Sequence, residues 1–117
     1  MIAIIDYGSG NVAAIANIYQ QLKIPHAVTM DADVLARAER YILPGVGAFD
    51  PAMSQLAGRG IIGALSHTVL ERRRPILGIC LGMQLLREGS DEGTLPGLGW
   101  VKGKSVRFKF DEGNERL

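Results

Sequence analysis

The sequence lacks the features that would place it outside a reducing compartment, in a membrane or on a nucleic acid. It has one cysteine in 117 residues, which excludes an internal disulfide and fits the cytoplasm. No apolar run approaches the roughly 20 residues that span a bilayer, and the apolar start of the chain stops at Asp6, too early for a signal peptide. The formal net charge of +1 gives no electrostatic attraction to nucleic acid or to an anionic membrane. We therefore expect a globular cytoplasmic domain whose partners are neither nucleic acid nor membrane.

Histidine is scarce too, and its placement limits the chemistry that a cysteine could perform here. The chain has two histidines, His26 at the start of a predicted strand and His67 in the middle of a predicted helix. Neither follows the end of a strand, where it could face a nucleophile at the edge of a sheet, so we interpret both as structural. We also predict no metal ion and no cofactor.

Glycine, in contrast, is abundant, and the 15 glycines are about twice the usual share. Several follow short apolar runs, which lie near 2–6, 26–29, 40–44 and 75–79, with amphipathic segments between them. This alternation predicts right-handed βαβ units. We expect an α/β fold with a doubly wound, mostly parallel sheet in three αβα layers, and ligands at the edge where the glycines lie.

The pattern changes beyond the fourth apolar run and the helix that follows it. Residues 87–98 are polar and glycine-rich and predict a loop. Residues 100–101 and 106–110 alternate apolar with polar side chains, which predicts antiparallel strands with one solvated face. Because a four-stranded sheet followed by one hairpin leaves an uncovered edge, we expect residues 1–117 to be one domain that is C-terminally incomplete.

The single cysteine lies at a transition from strand to helix. The apolar run 76–79 predicts a buried strand, and the residues after Cys80 shift to helical spacing. Gly78 and Gly82 flank Cys80 and allow a sharp turn, which is typical of a nucleophile elbow with sulfur in place of the serine oxygen. The backbone N–H of Leu81 would then be the usual first donor to an oxyanion. The alternative is an inert buried cysteine or a redox sensor without a catalytic role.

The sequence Gly-Ile-Cys-Leu-Gly-Met-Gln at 78–84 resembles the nucleophile segment of class I glutamine amidotransferases, which have a flavodoxin-like fold. Within that family, Pro-Gly-Val-Gly-Ala-Phe at 44–49 is most similar to the oxyanion strand of the imidazole glycerol phosphate synthase glutaminases. This resemblance implies that Val46 and Gly47 supply backbone N–H groups to the oxyanion and that Gly45 adds one at the substrate site. It also implies that the strand reorients before a donor points at the oxyanion. Without the resemblance, the simpler interpretation of these residues is a plain glycine turn.

Two further side chains are predicted to hold the amino-acid head group of the substrate. Gln84 lies one helical turn beyond Cys80, on the same face, and offers both a hydrogen-bond donor and an acceptor. The resemblance extends to Ser-Asp-Glu-Gly at 90–93 and implies that Glu92 binds the α-ammonium group. Taken alone, Gln84 could equally face solvent, and Glu92 would be a simple loop acid.

The loop at 6–11, Asp-Tyr-Gly-Ser-Gly-Asn, looks at first like a phosphate-binding turn after a strand. Ala13 stands where the third glycine of a dinucleotide-binding motif would be, so this interpretation is weak. The resemblance implies instead that the loop lies near the oxyanion strand and the partner subunit. We expect Asn11 to make a bracing hydrogen bond there.

The resemblance covers the whole chain but only the N-terminal part of a full subunit. It implies that Cys80 attacks the side-chain amide of glutamine, forms a thioester and releases ammonia to a (β/α)₈-barrel cyclase (synthase) subunit in histidine biosynthesis. The catalytic His and Glu of that family come from a later segment, so we expect this chain alone not to turn over glutamine. Alternatives are another class I amidotransferase, such as the anthranilate or guanylate branch, which Pro-Gly-Val-Gly disfavours, and a non-catalytic flavodoxin-like binding module.

Overall fold

The computed structural model describes residues 1–106, in which strands and helices alternate as far as the fifth helix. In chain order the elements are β1 (Ile2–Ile5), α1 (Val12–Gln21), β2 (His26–Thr29), α2 (Ala32–Arg37), β3 (Arg40–Leu43), α3 (Phe49–Gly58), α4 (Ile62–Ser66) with a π-helix (His67–Glu71) directly after it, β4 (Ile76–Gly78), α5 (Leu81–Leu85), β5 (Arg87–Ser90) and β6 (Val101–Ser105). None of these helices is long and apolar enough to cross a membrane.

The first four strands form one parallel sheet in the order β2-β1-β3-β4. Each of the four strands predicted for this sheet matches an observed strand to within one residue at either end, and the predicted α/β class is confirmed. Because all four strands are parallel, their carboxyl ends lie at one edge of the sheet. The chain therefore leaves β1 at Asp6, β3 at Pro44 and β4 at Ile79 along the same edge.

Helices cover both faces of this sheet, as predicted for a three-layer fold. On one face, sheet and helix side chains share a core, which includes Ala3, Ile5, Leu35, Tyr41, Leu43, Leu56, Leu65 and Leu85. The other face carries Ile4 and Ile42, which are buried, and α1 packs there against β1 and β2. This second face is covered less completely, since α1 has no fully buried residue and Leu77, paired in register with Ile42, is 57% exposed.

The chain after α5 departs from the sequence prediction. Residues 87–90, predicted as loop, form β5, and β5 pairs with β6 in parallel, with Arg87 opposite Val101. The loop prediction is therefore wrong at 87–90 and correct at 91–98. The observed pairing of β6 is parallel to β5, where antiparallel strands were predicted. Val106 follows β6 outside any strand, and 107–110 of the predicted second strand lies outside the described residues.

Tertiary hydrogen bonds, rather than local side-chain pattern, explain this second sheet. The returning chain runs back along the end of α5, where Leu98 N–H donates to the Leu85 carbonyl oxygen at 2.8 Å and Trp100 N–H to that of Leu86 at 2.9 Å. A side chain at Gly97 would place its Cβ 2.0 Å from the Arg87 carbonyl oxygen, so only glycine fits this approach. These contacts bring β6 beside β5 in the same direction.

Candidate active site

Cys80 lies between β4 and α5, in the sharp turn that the sequence predicts. Its backbone has φ 53° and ψ −119°, a conformation that is strained for a residue with a side chain. A Cβ at Gly78 would lie 2.7 Å from Met83 Cα, and one at Gly82 would lie 1.8 Å from the Leu43 carbonyl oxygen. Both flanking glycines are therefore required by close backbone packing, and the Cys80 thiol is exposed at the sheet edge.

The segment 44–47 leaves β3 directly beside this turn. The Leu81 backbone N–H, the expected first oxyanion donor, donates to the Gly45 carbonyl oxygen at 3.3 Å. Gly45 has no room for a side chain, because a Cβ would lie 2.8 Å from Tyr7 Oη and 2.9 Å from Gly82 N. In this conformation the Gly45 carbonyl oxygen thus accepts from the Leu81 N–H, which was expected to donate to an oxyanion.

Two residues of the loop after β1 hold the same segment, and neither was predicted from the sequence. The Tyr7 hydroxyl donates to the Pro44 carbonyl oxygen at 2.6 Å. Ser9 Oγ is 3.0 Å from both Val46 backbone groups, accepting from its N–H and donating to its carbonyl oxygen. Burial raises the pKa of Tyr7, while a hydrogen bond with Ser9 lowers it, so Tyr7 remains a neutral donor. The available signal was topological, since β1 and β3 are neighbours and their carboxyl ends meet.

The other predicted residues of this edge are Gly47 and Asn11. Gly47 has φ 89°, and a Cβ there would meet nothing within 4 Å, so the positive φ rather than crowding favours glycine at this position. Asn11 caps α1, its side-chain oxygen accepting from Ala14 N–H at 3.1 Å. The hydrogen bond that braces 44–47 is thus observed at Ser9, and Asn11 makes a helix cap.

Gln84 and Glu92, the two predicted head-group ligands, are connected through Ser90. The Ser90 hydroxyl donates to Gln84 Oε1 at 3.1 Å, and Glu92 N–H donates to Ser90 Oγ at 3.2 Å. Ser90 is 7% exposed, whereas Glu92 is exposed. Within residues 1–106 the Glu92 carboxylate has no hydrogen bond or ion pair, so it is available to a cationic ligand. The Gln84 amide nitrogen likewise remains available as a donor.

Neither histidine belongs to this edge. His26 begins β2, and its Nδ1 is 2.8 Å from the Ile24 carbonyl oxygen. With adjacent strands about 4.8 Å apart, β2 lies three strand spacings from β4 and His26 stands at the opposite end of its strand. His67 is hydrogen-bonded to Glu71 in the π-helix that precedes β4. In the described part of the chain, no cluster of His, Cys, Asp and Glu could hold a metal ion.

The family model described as "Glutamine amidotransferase class-I" matches residues 3–114 of the sequence. The chain belongs to this family. Several curated relatives named "Imidazole glycerol phosphate synthase subunit HisH" match over nearly the whole chain. The one from Bdellovibrio bacteriovorus is 52% identical over 117 residues, that from Leptospira interrogans 43% over 117 residues and that from Bacillus subtilis 44% over 113 residues.

This amidotransferase chain spans little more than half the length of those relatives. All 117 residues align with the Bdellovibrio and Leptospira proteins, but they cover 57% of either. For the Bacillus protein, 96% of the chain aligns with 53% of the relative. The matched part includes Cys80, the 44–47 segment and the Gln84–Glu92 region.

Proposed function

We propose that residues 1–117 are the N-terminal part of a single amidotransferase domain and carry the nucleophile and the glutamine site of an imidazole glycerol phosphate synthase glutaminase. The strained backbone of Cys80 at the β4–α5 turn is the observation that carries this proposal. A cysteine held at positive φ between two obligatory glycines is an exposed nucleophile, since an inert core cysteine needs neither strain nor exposure.

In the proposed reaction, the Cys80 thiolate attacks the side-chain amide carbon of glutamine and forms a carbon–sulfur bond. The carbonyl electrons move onto oxygen, giving a tetrahedral oxyanion. Collapse of this intermediate breaks the carbon–nitrogen bond, and the nitrogen leaves as ammonia after it takes up the proton that a general base removed from the Cys80 thiol. Water then hydrolyses the thioester, which gives glutamate and regenerates Cys80.

The substrate would lie between the nucleophile and the Gln84–Ser90–Glu92 network. Glu92 carries the charge that an α-ammonium group requires, and the Gln84 amide nitrogen can donate to the α-carboxylate. The site as observed does not yet offer the Leu81 N–H to an oxyanion, because the Gly45 carbonyl accepts from it. A catalytic conformation therefore requires 44–47 to move, so that Leu81 and a backbone N–H of Val46 or Gly47 point at the same place.

The ammonia would pass to a cyclase partner of (β/α)₈-barrel form, in a cytoplasmic heterodimer that serves histidine biosynthesis. The names of the relatives describe a synthase subunit, which supports a partner that accepts the ammonia. We place the partner over the carboxyl ends of the strands, near Asn11 and 44–47, because ammonia leaving there avoids bulk water.

Covalent labelling tests the proposed function directly. A chloromethyl ketone analogue of glutamine should alkylate Cys80 with saturation kinetics, and free glutamine should slow the labelling. Iodoacetamide, which has no amino-acid head group, should react without saturation and without protection by glutamine. Cys80→Ser should remove both reactions. Equal, unsaturable reaction with both reagents would instead indicate a redox-sensing cysteine in a binding module, and no reaction with either reagent would indicate an inert cysteine.

A further inference from the structure

Asp50 holds the loop that contains Glu92, although it lies more than forty positions away in sequence. It is the second residue of α3, the helix that begins at Phe49, with only Ala48 between it and the 44–47 segment. Its carboxylate accepts from Thr94 N–H at 3.0 Å (Oδ1) and 2.9 Å (Oδ2), from the Thr94 hydroxyl at 3.0 Å and from Leu95 N–H at 2.9 Å. Both carboxylate oxygens are thus used by two consecutive residues of one loop.

The chemistry of this contact favours an ionised carboxylate. The backbone hydrogen bonds from Thr94 and Leu95 hold the pKa of Asp50 below its ordinary value. The first turn of a helix also favours negative charge, because its free N–H groups form the positive end of the helix dipole. Asp50 therefore accepts from the loop as a charged group, and charge-assisted hydrogen bonds are the strong ones.

The loop at 90–95 is consequently fixed on both sides of Glu92. Before it, Ser90 binds the Glu92 N–H, and the Gly93 N–H donates to the Ser90 carbonyl oxygen at 3.2 Å. After it, Asp50 binds Thr94. The fit is close, since a Cβ at Gly93 would lie 2.3 Å from Asp50 Oδ1 and 2.9 Å from the Phe49 ring.

We propose that Asp50 is a positioning residue for glutamine recognition, which fixes the Glu92 loop against the helix that follows the 44–47 segment. This inference rests on the proposed function. Asp50 touches neither the substrate nor the nucleophile. Its four hydrogen bonds determine the position of the Glu92 carboxylate relative to Cys80. That position decides how well the site binds the α-ammonium group of glutamine when the side-chain amide carbon lies against the Cys80 sulfur.

The test measures Cys80 alkylation by the chloromethyl ketone analogue of glutamine in Asp50→Asn, which has nearly the same shape but places an amide NH₂ against the Thr94 N–H. Because misplacement of a binding group by about 1 Å costs up to 10²-fold, we expect the half-saturation concentration to rise by about tenfold. The maximal alkylation rate and the iodoacetamide rate should stay within about twofold, since both depend on the elbow alone. Thr94→Val, which removes one of the four hydrogen bonds, should raise half-saturation less.

Asp33→Asn is the matched control, because Asp33 is also a first-turn acid, in α2, but its carboxylate accepts no hydrogen bond from a loop within residues 1–106. It should leave every rate constant unchanged. Half-saturation values for Asp50→Asn and Thr94→Val equal to those of Asp33→Asn would overturn the positioning role while leaving the proposed function intact. A changed iodoacetamide rate in Asp50→Asn would also overturn it, because the carboxylate would then act on the elbow. If the unsubstituted chain itself shows no saturation, the proposed function fails, and this inference fails with it.

Discussion

At the residue scale, the elbow depends on two glycines, and the sequence predicts the sharp turn that they allow. Gly78 and Gly82 flank Cys80, and the structure confirms this turn. It also shows why both residues are glycine, since backbone atoms lie where each Cβ would stand. The pattern Gly-x-Cys-x-Gly was sufficient for the turn because a sharp turn depends on local backbone geometry, whereas the approach of the Leu43 carbonyl to Gly82 comes from a neighbouring strand.

Gly82→Ala should therefore destabilise the chain strongly. Its Cβ would lie 1.8 Å from the Leu43 carbonyl oxygen, so the helix or the end of β3 must shift. Overpacking of this kind costs about 1–3 kcal/mol or more in the free energy of unfolding, measurable as a lower urea midpoint.

Gly63→Ala is the control for that measurement, since Gly63 also lies in a helix, α4, with nothing within 4 Å of an added Cβ. Alanine there should raise stability by about 0.5–1 kcal/mol through helix propensity. If both substitutions shift the midpoint in the same direction, the close approach at Gly82 does not limit stability.

The hydrogen-bonding residues of the site were harder to predict than the nucleophile. Tyr7 and Ser9 act on 44–47 from a different strand, and Asp50 acts on 94–95 across more than forty residues. Such contacts depend on strand order and on side-chain direction. A single sequence specifies neither of these locally, so these residues appeared only as ordinary loop and helix polar groups.

At the element scale, the sequence predicted the central sheet well and the second sheet poorly. β1 to β4 are short apolar runs separated by amphipathic helices, a pattern that identifies buried parallel strands. β5, with the sequence Arg-Glu-Gly-Ser, has no such pattern. It is a strand because the chain returning through Gly97 and Trp100 hydrogen-bonds to residues 86–88, and tertiary contacts of that kind override local propensity.

The two faces of the central sheet should differ in their tolerance to truncation. Leu43 is fully buried among the helices of the first face, whereas Leu77 is 57% exposed on the second. Leu43→Ala should cost about 2–5 kcal/mol in the free energy of unfolding. Leu77→Ala should cost well under half of that, because little of its surface leaves water on folding. Chemical denaturation of the two variants measures the difference, and equal losses would mean that the second face is packed as tightly as the first.

At the scale of the whole molecule, three segments from distant parts of the chain meet at one sheet edge. The loop after β1, the 44–47 segment after β3 and the elbow after β4 are separated in sequence by 30 residues or more. The parallel sheet brings them together because every strand ends on the same side. Both histidines are excluded from that edge by the same topology, since His26 begins its strand and His67 precedes β4.

We therefore expect the 117-residue chain alone not to turn over glutamine. A cysteine nucleophile needs a neighbouring base to form the thiolate and an acid to protonate the departing nitrogen. A positioned proton-transfer group contributes roughly 10²–10⁴-fold to the rate, and His26 and His67 are bound to Ile24 and Glu71 away from Cys80. Glutamate release by the purified chain should stay at the level of Cys80→Ser, with or without a barrel cyclase subunit, while Cys80 still reacts with the glutamine analogue. Turnover well above that control would mean that a base exists within these residues, and loss of the turnover in His67→Ala but not in His26→Ala would identify it.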